Sequence, residues 1–184
     1  MSIVFGAIIN GELAIGSDSK SSEENLLYPA EEKLTWHKIH KIGPALVGHV
    51  GNSMYHTVLE NLAQNHSDIF DFSDRVSIHQ SINRMQKLLA GEYGLMAQGD
   101  DFAGSGLNLL IGVNSKLYSV DGERGVEEYC RFWAVGSGTK FGLGAAEALY
   151  KEARTAKELV EQVIRIACKY DLHSLAPVDV RVLD

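Results

Sequence analysis

Cysteine is scarce: the 184 residues hold two, Cys130 and Cys168, and no CxxC pair. That excludes a disulfide-stapled scaffold and a thiolate metal centre, and predicts buried thiols in a reducing, cytoplasmic setting. Positive charge is also short, with 17 Lys and Arg against 24 Asp and Glu, a net charge of −7 and no basic run. Nucleic acid is therefore an unsuitable partner, since phosphate binding needs clustered cations. No apolar stretch is long enough to span a bilayer, so no membrane partner is expected. The N-terminus lacks the basic start and small-residue cleavage site of a signal peptide. Repeats and low-complexity segments are missing. The seven histidines show no HExxH-type spacing, and His37 and His40, three apart on an expected strand, point to opposite faces. Gly136-Ser137-Gly138-Thr139-Lys140 lacks the spacing of a phosphate loop. No metal and no cofactor are predicted.

What is present suits one ordinary globular domain, 1–184, with 45% hydrophobic and 22% charged residues. A chain of this length hides roughly 70% of its unfolded surface and needs no staples. Two apolar runs, Ile3 to Ile9 and Leu13 to Ile15, flank Asn10-Gly11. They predict a hairpin, because both central residues of a type I′ turn need positive φ. Ser19 to Asn25 is read as a loop, Lys33 to Ile42 as a strand, and Ala45 to Gly51 as a buried strand after a Gly43-Pro44 turn. Helices are expected from Asn52 or Ser53 to Asn65 and from Ser73-Asp74 to Leu89, each with one apolar face. The polar, glycine-rich stretch from Gly91 to Gly106 is read as a loop. Strands follow at Leu107 to Val113, Lys116 to Val120 and Val126 to Val135. Then come a helix from Thr139 to Ala153, one opened by the capping box Thr155-Ala156-Lys157-Glu158, and a last strand from Val178 to Leu183.

Strands in hairpins and helices in pairs exclude a doubly wound parallel sheet, which would alternate βαβα. The order predicts an α+β fold, two antiparallel sheets face to face with a helix pair outside each. The hairpin also carries chemistry. Ser2 would hold a nucleophilic hydroxyl and a basic α-amine on one residue once Met1 is removed. Asp18 lies where the return strand ends.

These markers, in this order, resemble the proteasome β-subunit family and its bacterial relative HslV. An N-terminal hydroxyl residue opens a strand and a tight turn. Asp18 follows 16 residues after Ser2, and Lys33 lies near the expected lysine spacing. Gly48-His49-Val50-Gly51-Asn52, Val135-Gly136-Ser137-Gly138 and the pair Asp171 and Ser174 complete the set. The resemblance spans Ser2 to Asp184 and implies a four-layer αββα sandwich, the N-terminal nucleophile hydrolase fold. It implies that Ser2 replaces the usual threonine as nucleophile. Lys33 would sit beside its hydroxyl, and Asp18 would orient Lys33. The Gly48 N–H would form the oxyanion hole, and Ser137, Asp171 and Ser174 would hydrogen-bond around the amine. Apart from the resemblance, His49 and His173 are read as flanking the cleft. Leu175 departs from the small residue expected after Ser174. Removal of the initiator methionine would substitute for a self-cleaved propeptide. The implied activity is hydrolysis of peptides or unfolded proteins inside a homo-oligomeric ring, with an ATP-dependent unfoldase as partner. A silent structural subunit of the same fold and an amidohydrolase of small substrates are the alternatives.

Overall fold

The structure is a computed structural model that describes residues 2–94 and 107–183. Strands β1 (Ile3–Ile9) and β2 (Glu12–Ser17) form the expected hairpin, with Asn10 and Gly11 at φ 52° and 85°. They pair in one sheet with β10 (Phe132–Gly136) and β11 (Asp179–Leu183), in the order β10-β1-β2-β11. The second sheet has β5 (Ile39–Ile42), β6 (Ala45–Val50), β7 (Asn108–Val113), β8 (Lys116–Val120) and β9 (Val126–Tyr129), in that order. All pairings in both sheets are antiparallel.

Alternation along the strands builds three apolar layers between four structural ones. On β1, Ile3, Phe5 and Ala7 face α3 (Thr139–Leu149) and α4 (Ala156–Tyr170), packing with Leu159, Val160 and Val163. Val4 on the same strand turns to the other side, where Leu13, Ile15, Leu46 and Leu110 fill the space between sheets. The outer face of the five-stranded sheet packs on α1 (Met54–Asn65) and α2 (Arg75–Gly91) through Leu59, Leu62, Ile78 and Met85. This is the αββα sandwich. Asp74 caps α2 by accepting from the Ser77 N–H at 2.9 Å, and Thr155 caps α4 by accepting from the Glu158 N–H at 3.1 Å. Among the described residues no helix is long and apolar enough to cross a membrane.

Four local expectations need correction. The stretch read as a loop after Ser19 holds a small hairpin, β3 (Ser21–Glu23) with β4 (Leu26–Tyr28). The strand expected from Lys33 begins only at Ile39. The strand expected over Val126 to Val135 is two strands in different sheets, because the chain crosses between them at Cys130 and Arg131. Cys130 is exposed and Cys168 half-buried, so neither thiol is fully buried. Of the expected loop at Gly91 to Gly106, Gly91 closes α2, and residues 95–106 lie outside the described residues.

Candidate active site

Ser2 immediately precedes β1 and is 5% exposed. The strand that follows is pinned to the end of β2 from both directions. The Ile3 N–H donates to Asp18 Oδ1 at 3.1 Å, and the Asp18 N–H donates to the Ile3 carbonyl at 3.2 Å. Asp18 has no solvent exposure, so its oxygens need donors from the protein. Oδ1 also accepts from Lys38 Nζ at 2.8 Å. Oδ2 accepts from the N–H groups of Lys20 at 2.9 Å and Leu175 at 3.2 Å. Lys38 Nζ, held by Asp18, also donates to Ser2 Oγ at 2.7 Å. Burial lowers the Lys38 pKa, and the Asp18 carboxylate only partly offsets this.

A second polar group reaches the Ser2 carbonyl from the far side. The loop after β10 brings the Gly138 N–H to 3.4 Å from that oxygen and Ser137 Oγ to 3.3 Å. Ser137 has one hydroxyl proton, and its shorter bond, 2.8 Å, goes to Asp171 Oδ2. Ser174 Oγ donates to the same carboxylate oxygen at 2.6 Å, and the His173 N–H donates to Oδ1 at 3.3 Å. Burial alone would raise the Asp171 pKa, but the two hydroxyls and the His173 N–H outweigh it and the net shift is downward. Gly136 makes this approach feasible. Its φ is 103°, and a Cβ there would lie 2.1 Å from the Ser2 carbonyl oxygen. Gly136→Ala is therefore expected to cost about 3 kcal/mol or more in denaturant unfolding and to lower activity by shifting Ser2.

Ser2 and Lys38 open onto a cleft of about 380 Å³ that also borders Lys33, Trp36, Gly51 and His56. Its wall carries His49 and His56, and His40, outside the lining, packs against both. His40 lies with ring centroids 5.4 Å from His49 and 5.1 Å from His56. Burial pushes His40 down to about 4 and His49 to about 3, and lowers His56 as well, so this wall is uncharged at neutral pH. No group of three or more His, Cys, Asp or Glu side chains among the described residues is arranged to hold a metal.

A family model described as Proteasome subunit matches residues 2–183. The chain belongs to the proteasome subunit family. Solved structures agree on the fold. Thiobacillus denitrificans BPH aligns with a TM-score of 0.90 at 21% identity, covering 99% of this chain and 97% of that one. The same protein in complex with Epoxomicin gives 0.86 at 22%, covering 99% and 98%. Eukaryotic HslV from Trypanosoma brucei gives 0.71 at 19%, covering 99% of both chains. No curated protein sequence matches the chain.

Of the residues expected from sequence to form this family's site, the fold brings together Ser2, Asp18, Ser137, Asp171 and Ser174. Two others need correction. Lys33 is not the lysine beside Ser2; its ammonium lies over the Tyr28 ring, 5.5 Å from the centroid. Lys38 holds that place. The extra hairpin β3–β4 and the helical turn Ala30–Glu32 lengthen the path from Asp18, so counting forward along the chain stops five residues early. Gly48 does not face the cleft. The His49 N–H donates to the Lys38 carbonyl at 3.0 Å, and bonding direction alternates along an antiparallel strand. The Gly48 N–H is therefore turned into the ladder with β7, opposite Leu110. A Cβ on Gly48 would meet Val4 Cγ1 at 2.5 Å, so its glycine serves the close approach of the two sheets. His49 borders the cleft as expected, whereas His173 contributes its backbone N–H to Asp171.

Proposed function

We propose that this proteasome-family chain is a peptidase whose nucleophile is Ser2, exposed as the first residue by removal of Met1, and that it works in a ring of identical subunits. The observation that carries the reading is the Lys38 ammonium 2.7 Å from Ser2 Oγ and 2.8 Å from a buried carboxylate, at the edge of a cleft. Ser2 Oγ attacks the substrate carbonyl and loses its proton to the α-amine or to Lys38 in its neutral form. The tetrahedral oxyanion needs a backbone donor at the cleft, and the Gly51 N–H is the one we assign. It lies two residues beyond His49, whose N–H points to the Lys38 edge, and it lies past the end of β6. Collapse of the intermediate expels the leaving amine, which takes the proton, and leaves a Ser2 ester. Water then attacks the ester, releases the carboxylate and returns the proton to Ser2.

The Asn52 turn that leads into α1 and the Asp171 network have a positioning role in this scheme. The first follows Gly51, with Asn52 Oδ1 accepting from the Met54 N–H at 3.0 Å. The second holds the Ser2 carbonyl, and through it the rotation of the residue about its own backbone. An unfoldase is a fitting partner for a ring of such sites, because a polypeptide must be extended to lie in a narrow cleft.

Intact mass and turnover of a fluorogenic peptide, measured on the same preparations, test this reading. Activity is expected to scale with the fraction of molecules lacking Met1, since an acylated Ser2 nitrogen is no longer a base. Native mass is expected to give a closed multiple of the subunit. Epoxomicin, which the similar Thiobacillus denitrificans protein holds, is expected to slow turnover. A Ser2-first preparation with no peptide turnover would sink the proposal.

A further inference from the structure

Lys33, displaced from the catalytic centre, still borders the cleft that contains Ser2. The side chain is half-buried, and among the described residues it has no directly paired carboxylate there. The Tyr28 ring below it is an attractive surface but accepts no ordinary hydrogen bond from the three ammonium donors. Lys33 lines the same cleft as Ser2, Lys38 and His56 of α1.

The neighbouring charged groups each have a hydrogen-bonded partner. Asp18 neutralises Lys38 at 2.8 Å. The Lys20 ammonium donates to the Leu172 carbonyl. Glu23 accepts from the Tyr28 hydroxyl at 3.0 Å, at the other end of the ring that Lys33 covers. His49 and His56 add no charge at neutral pH. Among the described residues lining the cleft, Lys20 and Lys33 are the cations outside an ion pair; Lys20 is tethered to the Leu172 carbonyl, and Lys33 has no hydrogen-bonded partner.

We propose that Lys33 is a specificity residue that favours substrates with an aspartate or glutamate side chain within about three residues of the bond cleaved. The inference rests on the peptidase reading. A substrate carboxylate gives the ammonium the charge-assisted bonds it lacks, in a setting partly shielded from water. The histidine wall adds no charge of either sign, and Glu23, held by the Tyr28 hydroxyl, is the carboxylate of the described cleft lining that this attraction must outweigh. A lysine or arginine side chain at the same place meets Lys33 as a like charge and is rejected.

The test compares kcat/KM for matched fluorogenic peptides carrying Glu or Gln, scanned over three positions on each side of the cleaved bond. The Ser2-first assembled protein is used throughout. The wild type is expected to favour Glu at one position by about tenfold, and the preference should shrink as salt is added. In Lys33→Gln the Glu-to-Gln ratio is expected to fall to about one. In Lys33→Glu a Lys-containing peptide should overtake the Glu peptide at that position. Equal turnover of Glu and Gln peptides by the wild type overturns the Lys33 assignment and leaves the peptidase standing. A preference for Glu that survives in Lys33→Glu overturns it as well. Absence of turnover with every peptide overturns the peptidase reading itself, and the preference with it.

Discussion

Lys38→Ala is expected to lower kcat for peptide hydrolysis by about 10²–10⁴-fold, the range for loss of a positioned proton acceptor or its charge. It should also destabilise the fold. Asp18 is wholly buried, and Lys38 Nζ is the one ammonium bonded to it among the described residues. Removing one partner of a buried pair costs about 3–5 kcal/mol, because the other charge is left without compensation. Lys38→Arg separates the two effects. A guanidinium can still answer Asp18, so most of the stability should return, but it does not release a proton and the rate should stay low. The pH profile carries the sign. Burial holds the Lys38 pKa below the ordinary 10.5, so the native state binds that proton less tightly than the unfolded chain does. Between the folded and unfolded pKa values the unfolded chain holds more protons, and the Lys38 contribution to stability rises with pH through that window. Activity rises in the same direction if neutral Lys38 accepts the Ser2 proton. A Lys38→Arg enzyme that keeps the alkaline rise would instead assign the proton to the α-amine.

The sequence reveals the sandwich because its elements are written in short-range signals. Asn10-Gly11, the Asp74 and Thr155 caps and the apolar faces of α1, α2 and α4 each depend on residues within a few positions. The site is less legible because its parts meet across the fold. Asp18 bonds the Leu175 N–H, and Ser2 meets the loop that carries Ser137 and Gly138, over more than a hundred residues in each case. Family spacing located Asp18, since β1, the turn and β2 are rigid and of fixed length. The same spacing failed for the lysine, since the next stretch bends through β3, β4 and a helical turn. A signal for Lys38 did exist. Counting outward from the Gly43-Pro44 turn pairs Ile39 with Gly48, which sets Lys38 opposite His49 at the cleft end of the hairpin. The two-sheet split of Val126 to Val135 had no such signal. No glycine, proline or turn residue interrupts it, so nothing local marks the crossing at Cys130 and Arg131.

Ser2→Ala is expected to remove peptide hydrolysis almost entirely, by about 10⁴-fold or more, as loss of a covalent nucleophile does elsewhere. Its effect on stability should be far smaller than that of Lys38→Ala, although the two atoms share one hydrogen bond. The asymmetry follows from what each deletion strands. Removing Oγ takes one acceptor from an ammonium that keeps Asp18 at 2.8 Å. The lost bond to a charged donor is worth about 1.5–3 kcal/mol, and a water entering from the cleft can replace much of it. The backbone clamp between Ile3 and Asp18 does not involve the hydroxyl and survives. A folded, assembled and inactive Ser2→Ala protein, beside an inactive and destabilised Lys38→Ala protein, would divide chemistry from architecture at this site. Equal peptide turnover by wild type and Ser2→Ala would move the nucleophile elsewhere. Equal destabilisation of the two variants would mean that Asp18 has a counter-charge other than Lys38, and would remove the physical basis for reading the lysine as tuned by burial.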